Sequence, residues 1–255
     1  MDEDLKSRAA NDVGVFPVMG VVARARDINA FMWSPTPYPH RHAWSTALFI
    51  AVLIVFTFDF AVDSAIIFSL SSLDGTWDEF PELVDFHMPL GWEIVTSIII
   101  APIVEEALFR GWLSGKRAAL RFACFGFLAC AGLILLEYVP LEWQALLWLL
   151  VLGLSLFGFL QWQSLRWYDT QVPLWFAPNY RWFVWGSSFL FGVYHFGNWT
   201  DFDTPVDALI LLPYMVGGMF LAYTRTRLGL RAAMLHHALY NAFALLIAYE
   251  IVPWF

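Results

Sequence analysis

Seven runs of mainly apolar residues, at 44–69, 92–114, 122–139, 143–165, 182–199, 206–223 and 231–251, fill most of this 255-residue chain. A helix needs about 20 such residues to cross a bilayer, and each run reaches or approaches that length. The runs lack the in–out alternation of lipid-facing barrel strands, so helices are the way to satisfy the backbone in hydrocarbon. The expected fold is all-α: a polytopic transmembrane helix bundle of about seven spans. Composition agrees, with 60% hydrophobic and 14% charged residues and a mean hydropathy of +0.61. A soluble domain carries about a quarter charged residues. Fourteen Lys and Arg against 22 Asp and Glu leave no basic footprint, which excludes a nucleic-acid partner. The two Cys, Cys124 and Cys130, share one apolar run and cannot form a disulfide framework.

Lys and Arg in the connections set the expected orientation. With the N-terminus in the cytoplasm, every basic residue except Arg110 falls in an inner segment, from Lys6 through Lys116 and Arg166 to Arg231. The outer connections carry Asp74, Asp78, Glu79, Glu82, Asp85, Glu142, Asp201, Asp203 and Asp207 instead. Residues 1–42 do not read as a cleavable signal, because acids and arginines interrupt each apolar run. They read as a cytoplasmic or interfacial segment ahead of a transmembrane domain at 43–255. Val21, Val22, Ala25, Ile28 and Met32 recur at helical spacing, which fits a short helix on the inner leaflet or a frayed tail ending at Pro35–Pro39. The Trp-, Tyr- and Pro-rich connection at 166–181 is expected at the interface.

An ionised side chain at bilayer depth costs about 2.5–3.5 kcal/mol on insertion scales, so polar residues inside spans ask for a function. Three groups qualify. In the second span, Glu106 and Arg110 are four apart and share a helix face, with the acid in the favourable N-terminal position. Glu105 lies about 100° around the helix from Glu106, without that partner. An unpaired carboxylate in a low-dielectric site is a better proton acceptor near neutral pH than a solvated one. The alternative is a three-charge cluster that only joins helices. In the fifth span, Phe191 stands one turn from His195, and Gly192 permits a close helix approach. A lone His could simply donate to a neighbouring carbonyl. In the seventh span, His237 and Asn241 share a face, while His236 points elsewhere and reads as a satisfied or interfacial residue. Asp59 and Asp63, near the outer end of the first span, also read as interfacial. The inventory fits water attack on a carbonyl, with Glu105 and His195 activating the water and His237 and Asn241 stabilising the oxyanion.

At these residues the chain resembles the CAAX-protease and bacteriocin-processing family of glutamic intramembrane endopeptidases. That family carries Glu-Glu-x-x-x-Arg, Phe-x-x-x-His and His-x-x-x-Asn or Asp motifs. Here they occur in order as Glu105-Glu106…Arg110, Phe191…His195 and His237…Asn241. The resemblance extends to Ala101–Val104, Arg110-Gly111 and Gly229–His237, and covers about half the chain. It implies that Glu105 is the catalytic base and that Glu106, Arg110 and Phe191 support the site. It also implies a peptide or lipidated-protein substrate at the bilayer, no cofactor and no metal. Two features depart from the pattern. About 80 residues and two spans separate Arg110 from Phe191. At 1.5 Å per residue, His195 is about 21 Å from Arg181, deeper than Glu105 (about 16 Å from Lys116) or His237 (about 9 Å from Arg231).

The expected function is therefore an intramembrane glutamic endopeptidase, with its site facing the cytoplasmic side. Two other classes stay open. Glu105, His195 and His237 have the donor types of a His₂Glu zinc site, which would make the chain a metal-dependent membrane hydrolase. A non-catalytic scaffold, sorting protein or transporter could keep the same fold.

Overall fold

The computed structural model describes residues 19–37, 42–74, 88–136, 138–199 and 207–249. The fold is all-α, with no strand among the described residues. Most of the acidic outer connections fall outside them, as do Lys6, Arg8 and Arg41.

Helix α1 spans Val21–Trp33 and α2 spans Thr46–Asp74. The third rod, α3, joins α-helical Leu90–Ile94, π-helical Val95–Ile100, α-helical Ala101–Glu105, π-helical Glu106–Arg110 and a 3-10 turn at Gly111–Ser114. Pro102 has no N–H to offer the carbonyl of Ile98, and the turn ahead of it is the wider π form. Gly115, at φ +69°, ends the rod in a conformation that other side chains resist. Then follow α4 (Arg117–Leu135), α5 (Leu141–Leu165), α6 (Tyr180–Tyr194), α7 (Leu212–Arg227) and α8 (Leu230–Ala248). Gly229, at φ +107°, reverses the chain between α7 and α8, and its N–H closes the end of α7 on the Thr224 carbonyl.

Among the described residues, four stretches are long and apolar enough to cross a membrane: Thr46–Ser72, Arg117–Leu135, Leu141–Leu165 and Asp207–Arg227. The protein is an integral membrane protein. Four of the seven expected spans thus meet this test of length and composition. The other three expected spans fall on α3, α6 and α8, the helices that carry the polar motifs. There α3 is divided into short segments, α6 has 15 residues, and α8 carries Arg231, His236, His237 and Asn241.

A central group of α2, α3, α6, α7 and α8 builds the core, with α7 against α2, α6 and α8. Val52, Val55, Val184, Phe220 and Tyr223 are buried there. Helices α4 and α5 pair with each other, close enough that a Cβ on Gly132 or Gly158 would overlap Val151 or Phe125. The chain inserted between Arg110 and Phe191 is therefore a hairpin. It touches the core where Leu108 lies over Gly126 and Phe109 meets Phe127.

The N-terminal helix is neither frayed nor free on a leaflet surface. Ile28 and Phe31 are buried, and Tyr223 of α7 donates to Asp27, accepts from Arg24 and meets the Phe31 ring edge-on. Trp185 near the start of α6 donates to the Met32 carbonyl, and Tyr180 bonds Thr226. These contacts gather α1, the start of α6 and the basic end of α7 at one end of the bundle.

Candidate active site

The structure brings Glu105, Glu106, Arg110, Phe191, His195 and His237 into one polar cluster within the central group. Arg110 Nη1 bonds Glu106 Oε1 at 2.8 Å, and both side chains are 0% exposed. The guanidinium lies 3.8 Å from the centre of the Phe191 ring, and Nη2 reaches the Gly218 carbonyl at 3.4 Å. A Cβ on Gly218 would stand 3.1 Å from both that nitrogen and the Ser188 Cα, so glycine lets α7 close over the ion pair. Glu106 Oε1 also lies 3.1 Å from His237 Nδ1. The pair thus has a third member that its helical spacing does not reveal.

Glu105 has the other environment expected of it. Its Oε2 is buried without a hydrogen-bond partner. It lies 3.8 Å from His237 Nε2 and 3.9 Å from His195 Nε2, beyond direct hydrogen-bond reach. His195 Nδ1 is 2.7 Å from the Phe191 carbonyl. A carbonyl only accepts, so Nδ1 carries the hydrogen and the neutral ring turns its Nε2 lone pair toward Glu105. His237 likewise gives its Nδ1–H to Glu106. Both imidazoles therefore aim Nε2 at the same carboxylate oxygen, and both His side chains are held from behind. Tyr214, which the sequence did not single out, stacks on His195 at 4.4 Å between centroids.

Whatever the count along each helix, His195 meets the others: it opens the 3-10 turn at the end of α6, and its Nε2 lies 3.9 Å from Glu105 Oε2. The close approach expected at Gly192 is present: a Cβ there would lie 3.2 Å from the Met215 nitrogen and 3.3 Å from the Leu211 carbonyl oxygen.

Asn241 follows His237 by one turn and donates from Nδ2 to the Ser97 carbonyl at 2.7 Å. That carbonyl lies in the π-helical turn of α3. His195, His237 and Asn241 all border one cavity of about 580 Å³. His236 is a buried core residue rather than an interfacial one: Nδ1 bonds Thr224 Oγ1 at 3.0 Å, and Nε2 lies 3.1 Å from Asp59 Oδ2 without hydrogen-bond geometry. Asp59 and Asp63 overturn the interfacial reading. They are 1% and 2% exposed, and both border the cavity. Helix α2 continues to Asp74, so Asp59 falls at the midpoint of the Thr46–Ser72 span rather than near its end. The usable signal was their spacing of four, repeated by His236 and Tyr240 on α8. Among the described residues, no group of three or more His, Cys, Asp or Glu side chains is arranged to hold a metal ion.

Residues 158–243 match the profile of the Type II CAAX prenyl endopeptidase Rce1-like family. The match supports membership of the CAAX-protease and bacteriocin-processing family. It runs from the end of α5 through α6 and α7 into α8, and so contains Phe191, His195, His237 and Asn241. Glu105, Glu106 and Arg110 lie outside it. No curated protein and no solved structure matches the chain. The Rce1-like family is a protease family, which supports peptidase activity in general.

Proposed function

We propose that this chain is an intramembrane glutamic endopeptidase that hydrolyses a peptide bond of a membrane-associated or lipidated protein. The observation that carries the reading is the convergence of three acceptors, Glu105 Oε2 and the Nε2 atoms of His195 and His237, at 3.8–3.9 Å. Polar groups at that separation ask for a donor between them, and one water in contact with all three can donate twice. A structural cluster has no need of this arrangement, because the Glu106–Arg110 pair already closes without Glu105.

In this reading the water sits against Glu105 and His195. Glu105 takes a proton as the water oxygen attacks the scissile carbonyl, and His195 Nε2 orients the nucleophile. The new oxyanion faces the middle of α8, where the second N–H of Asn241 Nδ2 is available. His237 Nε2 adds a donor there whenever its ring carries both protons. Glu105 then returns its proton to the leaving amine. Glu106, Arg110 and Phe191 hold the His237 and His195 rings in place, and do no chemistry themselves. The basic end of the bundle marks the cytoplasmic side under the positive-inside rule, and the cavity runs from His195 and His237 toward the opposite end, between the start of α7 and the end of α8.

The test compares protein termini in membranes of cells carrying wild-type protein or Glu105→Gln at matched expression. C-terminal peptides that appear or vanish with Glu105 are the expected result. An unchanged set of termini, with both proteins folded and abundant, favours the scaffold reading instead. Activity that survives 1,10-phenanthroline separates this mechanism from a zinc-dependent one.

A further inference from the structure

The cavity beside the cluster has a second polar wall that hydrolysis does not use. Asp59 and Asp63, four apart on α2, both face it. Each is contacted on one oxygen only, by residues four apart on α8. Tyr240 donates to Asp63 Oδ2 at 2.7 Å, and His236 Nε2 stands 3.1 Å from Asp59 Oδ2. The other oxygen of each carboxylate, Oδ1, is buried without a hydrogen-bond partner. On α7, Gly217 faces both acids: a Cβ there would be in ordinary contact, 3.5 Å from Asp63 Oδ2 and 3.7 Å from Asp59 Oδ1.

Proton bookkeeping makes the two acids unequal. Thr224 gives its single hydroxyl hydrogen to the Phe220 carbonyl, so it accepts from His236 Nδ1–H. Asp59 thus has an imidazole nitrogen 3.1 Å from its Oδ2. Asp63 has only the neutral Tyr240 hydroxyl. Burying an ionised carboxylate is costly unless it is paired, and this one lacks a counter-charge within the wall. Much of the remaining wall is apolar, with Ile67, Leu221, Ala244 and Ile247 beside the polar Ser64 and Tyr214. Such a lining suits the methylene stem of a long cationic side chain whose head reaches the acids.

The distance to the reacting centre is short. Tyr240, the partner of Asp63, is three residues beyond His237 on α8, about 4.5 Å along the helix axis. An extended peptide covers about 3.3–3.6 Å per residue.

We propose that Asp63, with Asp59 beside it, is a specificity subsite that selects an arginine or lysine side chain one or two residues from the scissile bond. This deepens the endopeptidase reading and rests on it for the word scissile, but binding can be measured without cleavage. The probes are otherwise identical fluorescein-labelled, leucine-rich peptides with one arginine moved through successive positions, each matched by a peptide with citrulline, its uncharged isostere. They are titrated against Glu105→Gln protein in detergent by fluorescence anisotropy, and separately incubated with wild-type protein to follow cleavage. At one position arginine should bind at least ten-fold tighter than citrulline. Asp63→Asn should erase that difference, and a circular-dichroism melt within a few degrees of the parent protein shows that the variant folds. Equal binding of arginine and citrulline at every position, no binding of any peptide, or an arginine preference that persists in Asp63→Asn would overturn the proposal. Arginine-selective binding without Glu105-dependent cleavage would keep the subsite and remove the proteolytic reading.

Discussion

Replacing Arg110 by Met tests whether the cluster is divided into a structural pair and a free acid. Arg110 and Glu106 are both fully buried and 2.8 Å apart, and the guanidinium also rests on the Phe191 ring. Methionine keeps an apolar side chain of comparable length in that space but leaves Glu106 a buried carboxylate with His237 as its only remaining partner. Removing one member of a buried pair costs about 3–5 kcal/mol. The His237 contact at 3.1 Å places the expected loss at the lower end, about 3 kcal/mol. For a chain of this size that corresponds to a drop in Tm of about 6–12 °C. The double variant Glu106→Gln/Arg110→Met carries no orphaned charge, and should be more stable than Arg110→Met alone. Unfolding in mixed micelles, followed by circular dichroism, gives the coupling between the two sites. A loss below about 1 kcal/mol for Arg110→Met, or costs that simply add in the double variant, would refute the argument.

Three further outcomes follow from the same geometry. Asn241→Leu removes an oxyanion donor and should lower kcat about 100- to 1,000-fold with little change in KM, measured on a reporter peptide; an unaltered kcat removes Asn241 from the chemistry. Gly218→Val sets new atoms against Arg110 Nη2 and the Ser188 Cα, both 3.1 Å from its Cβ, and should destabilise by about 1–3 kcal/mol in thermal melts. Thr224→Val leaves the fully buried His236 Nδ1 without its acceptor, for a stability loss of about 1–3 kcal/mol by the same melts.

The parts of the site legible in the sequence are those written at helical spacing. Glu106 with Arg110, Phe191 with His195, and His237 with Asn241 each lie one turn apart, and each pair shares a face because one helix determines both positions. Contacts between helices were less accessible. The bond from His237 to Glu106 spans 131 positions, and the stacking of Tyr214 on His195 depends on how α7 passes the end of α6. Depth failed for a related reason. A rise of 1.5 Å per residue assumes a regular α-helix, whereas the stretch from Glu105 to Lys116 contains a π-helical segment and a 3-10 turn. Asp59 and Asp63 were misplaced because their run was read as ending at 69. With α2 extending to Asp74, the same two acids move to mid-span, where burial among α7 and α8 replaces an interfacial position. The three expected spans that fall short of the test of length and composition are the short, polar or interrupted helices, and these carry the motifs.

The central claim is that Glu105 performs chemistry while its neighbour Glu106 supports structure. Purified wild-type, Glu105→Gln and Glu106→Gln proteins, reconstituted in the same lipid, should be compared for hydrolysis of a reporter peptide and for thermal unfolding. Glu105→Gln should lose at least about 100-fold in rate while melting within a few degrees of wild type. Glu106→Gln should melt several degrees lower, because Arg110 is left buried without its anion. A Glu105→Gln protein that keeps wild-type activity, or that unfolds as readily as Glu106→Gln, would contradict the account.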